Sequence, residues 1–189
     1  MVDDQVSIVE TERLYLRHAI KKDVSMFHAL WTDPRLMLPA LKNGEKKISK
    51  EQALEKILER GDDVVIGNWF VVELIISGTS IGACYVGKAS KQGVARIGIS
   101  LFPAFWGHLY ENEIKEALLT VLFSSYDFRI VEIMANAGSL DVFQDGAGDD
   151  KENGTPDWKK KPAVLPENRL TDSGYVYRIT RDEWLGKKD

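Results

Sequence analysis

The order of apolar and polar residues gives some segments of the chain a strand period and others a helix period. The clearest unit lies at 94–126, where an apolar run at 94–101 predicts a buried strand and Pro103 and Gly107 follow in a turn. Beyond the turn, apolar residues recur at the spacing of one helix face: Ile114, Ala117, Leu118, Val121 and Leu122. The pattern therefore predicts a strand, a turn and a long amphipathic helix.

The region before this unit predicts one strand and two helices. Alternation of apolar and polar residues within 6–17 predicts the strand. Asp23 is placed to cap a first helix, which ends before Pro34. Ser49, with Gln52 three residues later, forms a capping box that predicts the start of a second helix.

The strand period returns after the second helix. Apolar runs at 69–76 and 80–87 flank Ser77-Gly78-Thr79, which predicts a hairpin. The segment at 146–166 is polar and rich in Gly, Pro and charge, which predicts a loop or an insertion. The other predicted elements are a strand at 129–135, a short helix at 136–144, a strand at 174–180 and a terminal helical turn at 181–184. This order predicts one mixed α/β (α+β) domain over residues 1–189.

Length and composition narrow the class of protein. A chain of 189 residues is enough for one domain with a full core and short for two. Its hydrophobic share of 44% and charged share of 29% are typical of a globular protein. A net charge of −4 does not suggest a basic face for nucleic acid. Because no signal peptide pattern or membrane-length apolar run is found, we expect a cytoplasmic protein without a membrane partner.

The sequence offers little for metal or thiol chemistry. Cys84 is the single cysteine and lies in an apolar run at 81–86, so packing is the favoured role and an intrachain disulfide is excluded. The histidines lack metal-ligand spacing. The acidic run at 149–154 has Lys151 where a calcium loop needs a ligand. We therefore expect no metal.

The strand–turn–helix unit also predicts an anion site. Such a unit directs free backbone N–H groups toward the space above the turn, where an anion can bind. Acidic residues in the first turns of the helix suit the helix dipole in the absence of a ligand. An ordinary packing unit of an α/β domain is an equally open interpretation.

The segment Phe105-Trp106-Gly107-His108-Leu109-Tyr110-Glu111-Asn112-Glu113 resembles the acetyl-CoA pyrophosphate loop of the GNAT N-acyltransferases. It is most similar to the RimJ/RimL-like branch, in which a run of the form W-G-K-G-Y-A/G-T-E-A is expected. Four residues occupy the positions of that pattern: Trp106, Gly107, Tyr110 and Glu113. Leu109 and Glu111 depart from it, at the places of the second glycine and of the following small residue.

Three further segments resemble the same branch, in the correct order. They are 11–17, similar to its T-E-R-L-x-L-R start; 136–144, similar to N-x-x-S-x-x-V-x-E/Q; and 175–184, similar to its closing strand and R-E-E-W-like end. The resemblance thus covers nearly the whole chain. It implies a twisted, mostly antiparallel mixed sheet that is splayed at the cofactor site near Trp106, with helices on both faces.

The resemblance implies acetyl-CoA as co-substrate and no metal. The implied cofactor positions in and before the loop are Leu101, Phe102, Gly107, His108, Leu109, Tyr110, Glu111 and Asn112. Asn136 is implied to hold the pantetheine arm or its neighbouring backbone, and Ser139 to cap the short helix beside it. An ordinary turn followed by a helix cap explains Asn136 and Ser139 equally well.

The two departures are predicted to weaken the cofactor site. If position 109 needs a positive φ, Leu109 carries strain on the order of 1–2 kcal/mol. Glu111 brings a carboxylate close to two phosphates, which costs roughly 3 kcal/mol at about 5 Å unless the side chain rotates into solvent. Together they predict an affinity lowered on the order of tenfold to several hundredfold, or a loop that no longer binds CoA.

Acid–base groups are harder to place. Acetyl transfer to an amine needs a neutral attacking nitrogen and sometimes an acid for the departing thiolate. Phe143 and Arg96 lie near the places where relatives carry a tyrosine acid and an acidic residue, and neither can perform those roles. Glu73 and Tyr110 remain as candidate catalytic residues. Burial is predicted to raise the pKa of Glu73; pairing with a cation on the open face of the sheet is the alternative.

Two functions are compatible with these observations. The first is direct transfer of an acetyl group from acetyl-CoA to a primary amine, on a protein N-terminus or on a small molecule. The second is a catalytically silent binding or interaction protein of the same fold that has lost efficient CoA binding. The acidic balance suits a cationic acceptor, and both a monomer and a homodimer remain open.

Overall fold

A computed structural model describes residues 7–36, 48–89, 91–135, 170–171 and 174–186. The predicted helix at 136–144 and the predicted loop at 146–166 lie outside these residues. Asn136, Ser139 and Phe143 lie outside them too.

One twisted sheet of eight strands organises the described part of the chain. The strands are β1 (Ser7–Glu10), β2 (Leu14–His18), β3 (Asn68–Leu74), β4 (Ser80–Lys88), β5 (Val94–Leu101), β6 (Ile130–Ala135), β7 (Leu170–Thr171) and β8 (Gly174–Thr180). Their order is β1-β2-β3-β4-β5-β6-β8-β7. Only the pair β5–β6 among these strands is parallel, so the predicted mostly antiparallel mixed sheet is confirmed.

Four α-helices accompany the sheet in the described ranges: α1 (Val24–Thr32), α2 (Lys50–Leu58), α3 (Tyr110–Ser125) and α4 (Arg181–Leu185). Short 3-10 turns at Lys21–Asp23 and Pro103–Phe105 precede α1 and α3. The predicted long helix, terminal turn and central meander are all present. Strands β1 and β7 were not predicted, because each is too short to show an alternating pattern.

Capping explains where two of the helices start. The Ser49 hydroxyl accepts a bond from the Gln52 backbone N–H, and the Gln52 side chain returns one to the Ser49 N–H, as the capping box predicted. Asp23 does occupy the N-cap position of α1, but its side chain makes no cap bond to that helix. The predicted cap is therefore wrong, because the Asp23 carboxylate accepts from the Ile20 N–H and binds Arg17 instead.

The pleat of the strands divides the core between two faces of the sheet. Side chains on one face, such as Phe70 and Val72, pack with Leu118 of α3 and Trp184 of α4. The intervening Val71 points to the other face, where it meets the core of α1 and α2. Helices therefore cover both faces, as predicted.

The described register of the parallel pair β5–β6 is shorter than β5 itself. It runs from Val94 opposite Ile130 to Gly98 opposite Met134. Strand β5 continues to Leu101 and remains paired with β4 up to that residue. Within the described residues the parallel ladder therefore ends at Gly98, before β5 does. The splay expected near the turn that follows β5 stays a prediction, because the residues directly after Ala135 lie outside the described part of the chain.

Candidate active site

The loop after β5 is fixed to the end of the sheet. The Trp106 indole N–H donates to the Leu101 carbonyl over 2.9 Å, and the Phe102 backbone N–H donates to the Ile81 carbonyl over 2.9 Å. The Trp106 ring also contacts the cores on both faces. Trp106 therefore sets the direction in which the chain leaves the sheet.

Two residues of the loop adopt the left-handed conformation. Gly107 has a φ of 77°, and Leu109, at the N-cap of α3, has a φ of 62° with a ψ of 12°. Leu109 is the one non-glycine residue with positive φ within the described ranges. The strain predicted for this position, on the order of 1–2 kcal/mol, therefore applies. The Leu109 side chain is 58% exposed, so little packing offsets it.

The first turn of α3 holds the second departure. Glu111 is 9% exposed and lies on the buried face of the helix. Rotation of its carboxylate into solvent is thus not what the structure shows. The Asn112 side-chain carbonyl accepts a bond from the Lys115 ammonium over 2.8 Å. A negative charge therefore lies at the helix end where phosphates are expected to bind, and Asn112 is already engaged within the helix.

Residues of the turn between β1 and β2 bind the first turn of α3 and the end of the loop before it. Glu113 accepts bonds from the Thr11 hydroxyl over 2.5 Å, from the Arg13 backbone N–H over 3.0 Å and from Arg13 Nε over 2.7 Å. Arg13 Nη1 donates to the His108 carbonyl over 3.1 Å. Burial opposes ionisation of Glu113, but the bonds from Thr11 and Arg13 prevail and lower its pKa. We call these contacts of Thr11 and Arg13 the β1–β2 clamp.

Tyr110 lies inside the same arrangement. The Arg13 guanidinium lies 4.5 Å from the centre of the Tyr110 ring, and the His108 ring stacks on Tyr110 at 5.5 Å. The structure thus brings together the predicted residues His108, Leu109 and Tyr110. Sequence reasoning assigned no role at the site to Arg13, although the T-E-R-L resemblance includes it.

Glu73 belongs to a separate buried cluster. Its carboxylate accepts from Arg17 Nη2 over 2.7 Å and from the Ser80 hydroxyl over 3.0 Å, while Asp23 binds the remaining edge of Arg17 over 2.7 and 2.8 Å. Burial acts to raise the pKa of Glu73, but the bonds from Arg17, Tyr15 and Ser80 outweigh it and lower the pKa. The predicted rise in pKa is therefore wrong, and the alternative of pairing with a cation is confirmed, at a buried rather than an open position.

The two candidate catalytic residues are not brought together. Glu73 pairs with Arg17, whose strand neighbour Leu16 points to the opposite face, so Glu73 lies on the α1–α2 face. The Tyr110 ring packs against the core on the α3 face. The sheet separates them, so they cannot exchange a proton directly.

A second cluster of charged side chains forms a row across three neighbouring strands, β5, β6 and β8. Arg96, Glu132 and Arg178 lie directly opposite one another in the register. Both guanidiniums donate to the Glu132 carboxylate, over 2.7 Å from Arg96 Nη2 and 2.9 Å from Arg178 Nη2. Burial acts against it, but these bonds lower the pKa of Glu132. A carboxylate is therefore present beside Arg96, at Glu132, a residue to which sequence reasoning assigned no role.

The described residues also bear on the predictions for the single cysteine, for metal binding and for membrane insertion. Cys84 is buried, and burial raises the pKa of its thiol, which fits the predicted packing role. In the part of the chain that the structure describes, no group of three or more His, Cys, Asp or Glu side chains is placed to hold a metal ion. None of the helices in those same ranges is long and apolar enough to cross a membrane.

Comparisons with known proteins agree with this architecture. A family model described as an acetyltransferase (GNAT) domain matches residues 13–143. No curated protein shows a significant match. A solved GNAT-family acetyltransferase from Bacillus anthracis is 18% identical with a TM-score of 0.62, and the alignment covers 93% of this chain and 99% of that one.

Two further solved structures share the fold. An acetyltransferase from Agrobacterium tumefaciens is 18% identical with a TM-score of 0.60, covering 93% of this chain and 95% of that one. A spermidine N-acetyltransferase chimera, from Vibrio cholerae and hSSAT, is 16% identical with a TM-score of 0.59, covering 91% of this chain and 98% of that one. Identities this low demonstrate the fold alone. With a family model that spans most of its length, the chain belongs to the GNAT acetyltransferase domain family.

Proposed function

We propose that this protein transfers an acetyl group from acetyl-CoA to a primary amine by direct attack, without a covalent enzyme intermediate. The observation that carries the proposal is the backbone of the loop after β5. Gly107 and Leu109 both keep positive φ, although only one of them is glycine. The loop thus holds a left-handed residue at the place of the second glycine of the pattern that it resembles, despite the strain, which supports a use for that backbone shape.

The residues present fit a CoA pyrophosphate in shape. At Gly107 an added Cβ would meet nothing within 4 Å among the described residues, so the surface above the turn is open. The backbone N–H groups at the start of α3 are the expected anion donors. Acetyl-CoA, when bound, supplies the activated acetyl group. Asn136 and Ser139 stay our proposed contacts for its pantetheine arm.

The proposed proton transfers use few side chains. Tyr110 stays our candidate for the acid that protonates the departing thiolate, because it lies in the cofactor loop with its ring held by Arg13 and His108. Glu73 stays a candidate base only through a relay of water, because Arg17 and Ser80 already occupy its carboxylate. Water itself is the simpler acceptor of the ammonium proton.

For the acceptor, we propose a protein N-terminus or a small amine, as in the RimJ/RimL-like branch that the loop and the opening segment resemble. The fold shared with a spermidine N-acetyltransferase supports the amine class in general terms. We further propose that the protein acts in the cytoplasm.

One observation favours the second candidate, a binding protein of the same fold. Glu111 keeps a buried carboxylate at the phosphate end of α3, and repulsion at about 5 Å costs roughly 3 kcal/mol per phosphate charge. A loop with this charge and the strain at Leu109 can lose CoA altogether.

The test is release of free CoA thiol from acetyl-CoA in the presence of amines, compared with the Tyr110→Phe variant. This change removes the hydroxyl and keeps the ring on which Arg13 and His108 stack. We expect amine-dependent thiol release, with kcat lowered about tenfold or more in the variant and acetyl-CoA affinity unchanged. Bound acetyl-CoA without turnover on any amine would instead favour the binding protein.

A further inference from the structure

The arginine–glutamate row of Arg96, Glu132 and Arg178 carries a local positive charge. Two guanidiniums flank one carboxylate, so the row has a net charge of +1 in a chain whose net charge is −4. The side chains of Arg96 and Arg178 are 43% and 37% exposed, whereas that of Glu132 is 7% exposed. The cations are therefore open to solvent, and the anion that neutralises them is not.

Both guanidiniums have N–H donors that Glu132 does not use. An arginine has five N–H donors, and Glu132 takes the bonds of Nε and Nη2 from Arg96 and from Arg178. The structure shows no other partner for either side chain among the described residues. Nη1 of each arginine is thus available to a carboxylate or a phosphate.

Among the described residues, an open slot adjoins the row on the same face of β5. Gly98 follows Arg96 by two residues and lies between Tyr85 of β4 and Met134 of β6. An added Cβ at Gly98 would meet only Met134 Cβ, at 4.0 Å, within the described residues. The Tyr85 ring lies over Gly87, which is the residue directly opposite Arg96. We call this space the Gly98 slot; its walls are Tyr85 and Met134, and one end is Arg96.

The other end of the slot lies toward the cofactor loop. Gly98 and Met134 form the last described pair of the parallel ladder, and β5 continues from Gly98 to Leu101, where that loop begins. In the proposed function, acetyl transfer takes place at this end of β5. The Gly98 slot therefore connects the exposed arginines with the place where an acceptor nitrogen must arrive.

The row is too far from the cofactor loop to serve the pyrophosphate. Arg96 precedes Leu101 by five residues of extended strand, which is roughly 16 Å at about 3.3 Å per residue. An anion held by Arg96 and Arg178 is thus a different group from the phosphates expected above Gly107.

We propose that the acceptor is an amine that carries an anionic group, a carboxylate or a phosphate, several bonds from its amino nitrogen. Arg96 and Arg178 hold the anionic group, and the body of the molecule lies over Gly98 between Tyr85 and Met134. This inference rests on the proposed function and names the class of its acceptor. An anionic acceptor of this kind replaces the cationic acceptor suggested by the net charge of the chain. Charges more than about 8 Å away are largely screened at physiological salt, so the nearby arginines determine which charge the site prefers.

A matched series of primary amines tests the proposal by direct binding. Hexylamine, ε-aminocaproate, aminohexyl phosphate and hexamethylenediamine share a six-carbon chain and differ in the group at its far end. We expect calorimetric titration of the full chain to show the carboxylate and phosphate forms binding at least about tenfold more tightly than hexylamine, and the diamine no better than hexylamine. Preference for the carboxylate or for the phosphate form identifies the anionic group. Equal affinity across the series, or preference for the diamine, overturns the proposal.

Three substitutions distinguish a role of the row in ligand binding from a purely structural role. Arg96→Gln should reduce the affinity for ε-aminocaproate about tenfold and leave that for hexylamine unchanged. Glu132→Gln should raise the affinity for ε-aminocaproate several-fold, because it removes the competing carboxylate; a purely structural role of the row gives no such gain. Arg129→Gln removes the same charge from an exposed position just before β6 and should change nothing.

Failure of the inference and failure of the proposed function give different results. Selective binding of the anionic amines without acetylation upholds the slot and contradicts the transferase. Acetylation of all the amines at equal efficiency upholds the transferase and overturns the slot. Loss of acetyl-CoA affinity in Arg96→Gln would assign the arginines to the cofactor and likewise overturn the proposal.

Discussion

At the scale of single residues, Leu109 is the most informative position in the cofactor loop. It adopts the left-handed backbone that glycine usually supplies, and more than half of its side chain is exposed. The turn persists because both of its ends are held, by the Trp106 indole on one side and by the β1–β2 clamp on the other. The sequence indicated the departure at this position, and the structure shows that Leu109 takes the left-handed backbone all the same.

Leu109→Gly should therefore stabilise the protein. Removing the side chain relieves the strain of positive φ, and we expect the free energy of unfolding in urea to rise by about 1 kcal/mol. Leu109→Ala serves as the control, since it keeps a Cβ and should bring no gain. Equal effects of the two substitutions would show that the backbone is not strained at this residue.

Arg17 is the residue on which the buried cluster of the α1–α2 face depends. It is the shared partner of Glu73 and Asp23, and all three side chains are buried. Arg17→Met should lower the free energy of unfolding at pH 7 by about 3–5 kcal/mol, because it leaves two buried carboxylates without their cation. Arg35→Met, at an exposed arginine paired with Asp33, should cost far less in the same urea titration, because solvent screens that pair. Similar losses for the two variants would contradict the cluster's role.

The dependence of stability on pH should follow two kinds of group. Burial, and next the charge of Arg60, lower the pKa of His18 below its ordinary value of 6.5, and its buried Nδ1 has no hydrogen-bond partner among the described residues. Since the unfolded chain then binds the proton more readily, stability should fall as pH drops below about 6.5. The lowered pKa values of Glu73, Glu113 and Glu132 should add a second loss below about 4.5.

Urea midpoints measured from pH 8 to pH 3 check both windows. His18→Gln should remove the first decline and leave the second. A midpoint that stays constant through the acid range would contradict the directions of these pKa shifts.

At the scale of elements, the sequence predicted correctly those features that depend on contacts between residues close together in the chain. The capping box at Ser49 and the apolar stripe of α3 depend on residues three or four apart, and both are present. The cap assigned to Asp23 failed because Arg17 and the Ile20 N–H compete for the same carboxylate. The β1–β2 clamp joins residues about a hundred positions apart, and no local pattern indicates it.

Glu113 is the point at which the clamp holds α3. We expect Glu113→Gln to lower the free energy of unfolding by about 1–2 kcal/mol, because a neutral amide loses the charge-assisted bonds from Thr11 and Arg13. Glu116→Gln, one turn further along the same helix, should change it by less than about 0.5 kcal/mol. The measurement is urea unfolding of both variants at neutral pH. A cost at Glu116 equal to that at Glu113 would mean that the clamp contributes nothing beyond general helix charge.

At the scale of the whole molecule, the order of the elements and the four resembling segments predicted the GNAT family, and the match of the family model to residues 13–143 confirms it. The chemistry of the site could not be predicted to the same depth. Glu73 was placed on a strand correctly, but its pKa depends on Arg17 and Tyr15 from β2. Likewise, the net charge of −4 conceals the positive row that β5, β6 and β8 assemble only in the folded sheet. The charged residues that contact one another come from distant parts of the chain. The local charge and the pKa values of the site can therefore be read only from the three-dimensional structure.

The most direct test of this account is calorimetric titration of acetyl-CoA into the wild type and into the Leu109→Gly, Glu111→Gly double variant. We predict micromolar binding to the wild type and an affinity on the order of tenfold to several hundredfold higher in the double variant, since strain and like charge are both removed. Binding by the double variant alone would mean that the loop has been switched off and would favour the binding protein. Absence of binding by both proteins would contradict the placement of the cofactor loop at Trp106, Gly107 and Leu109.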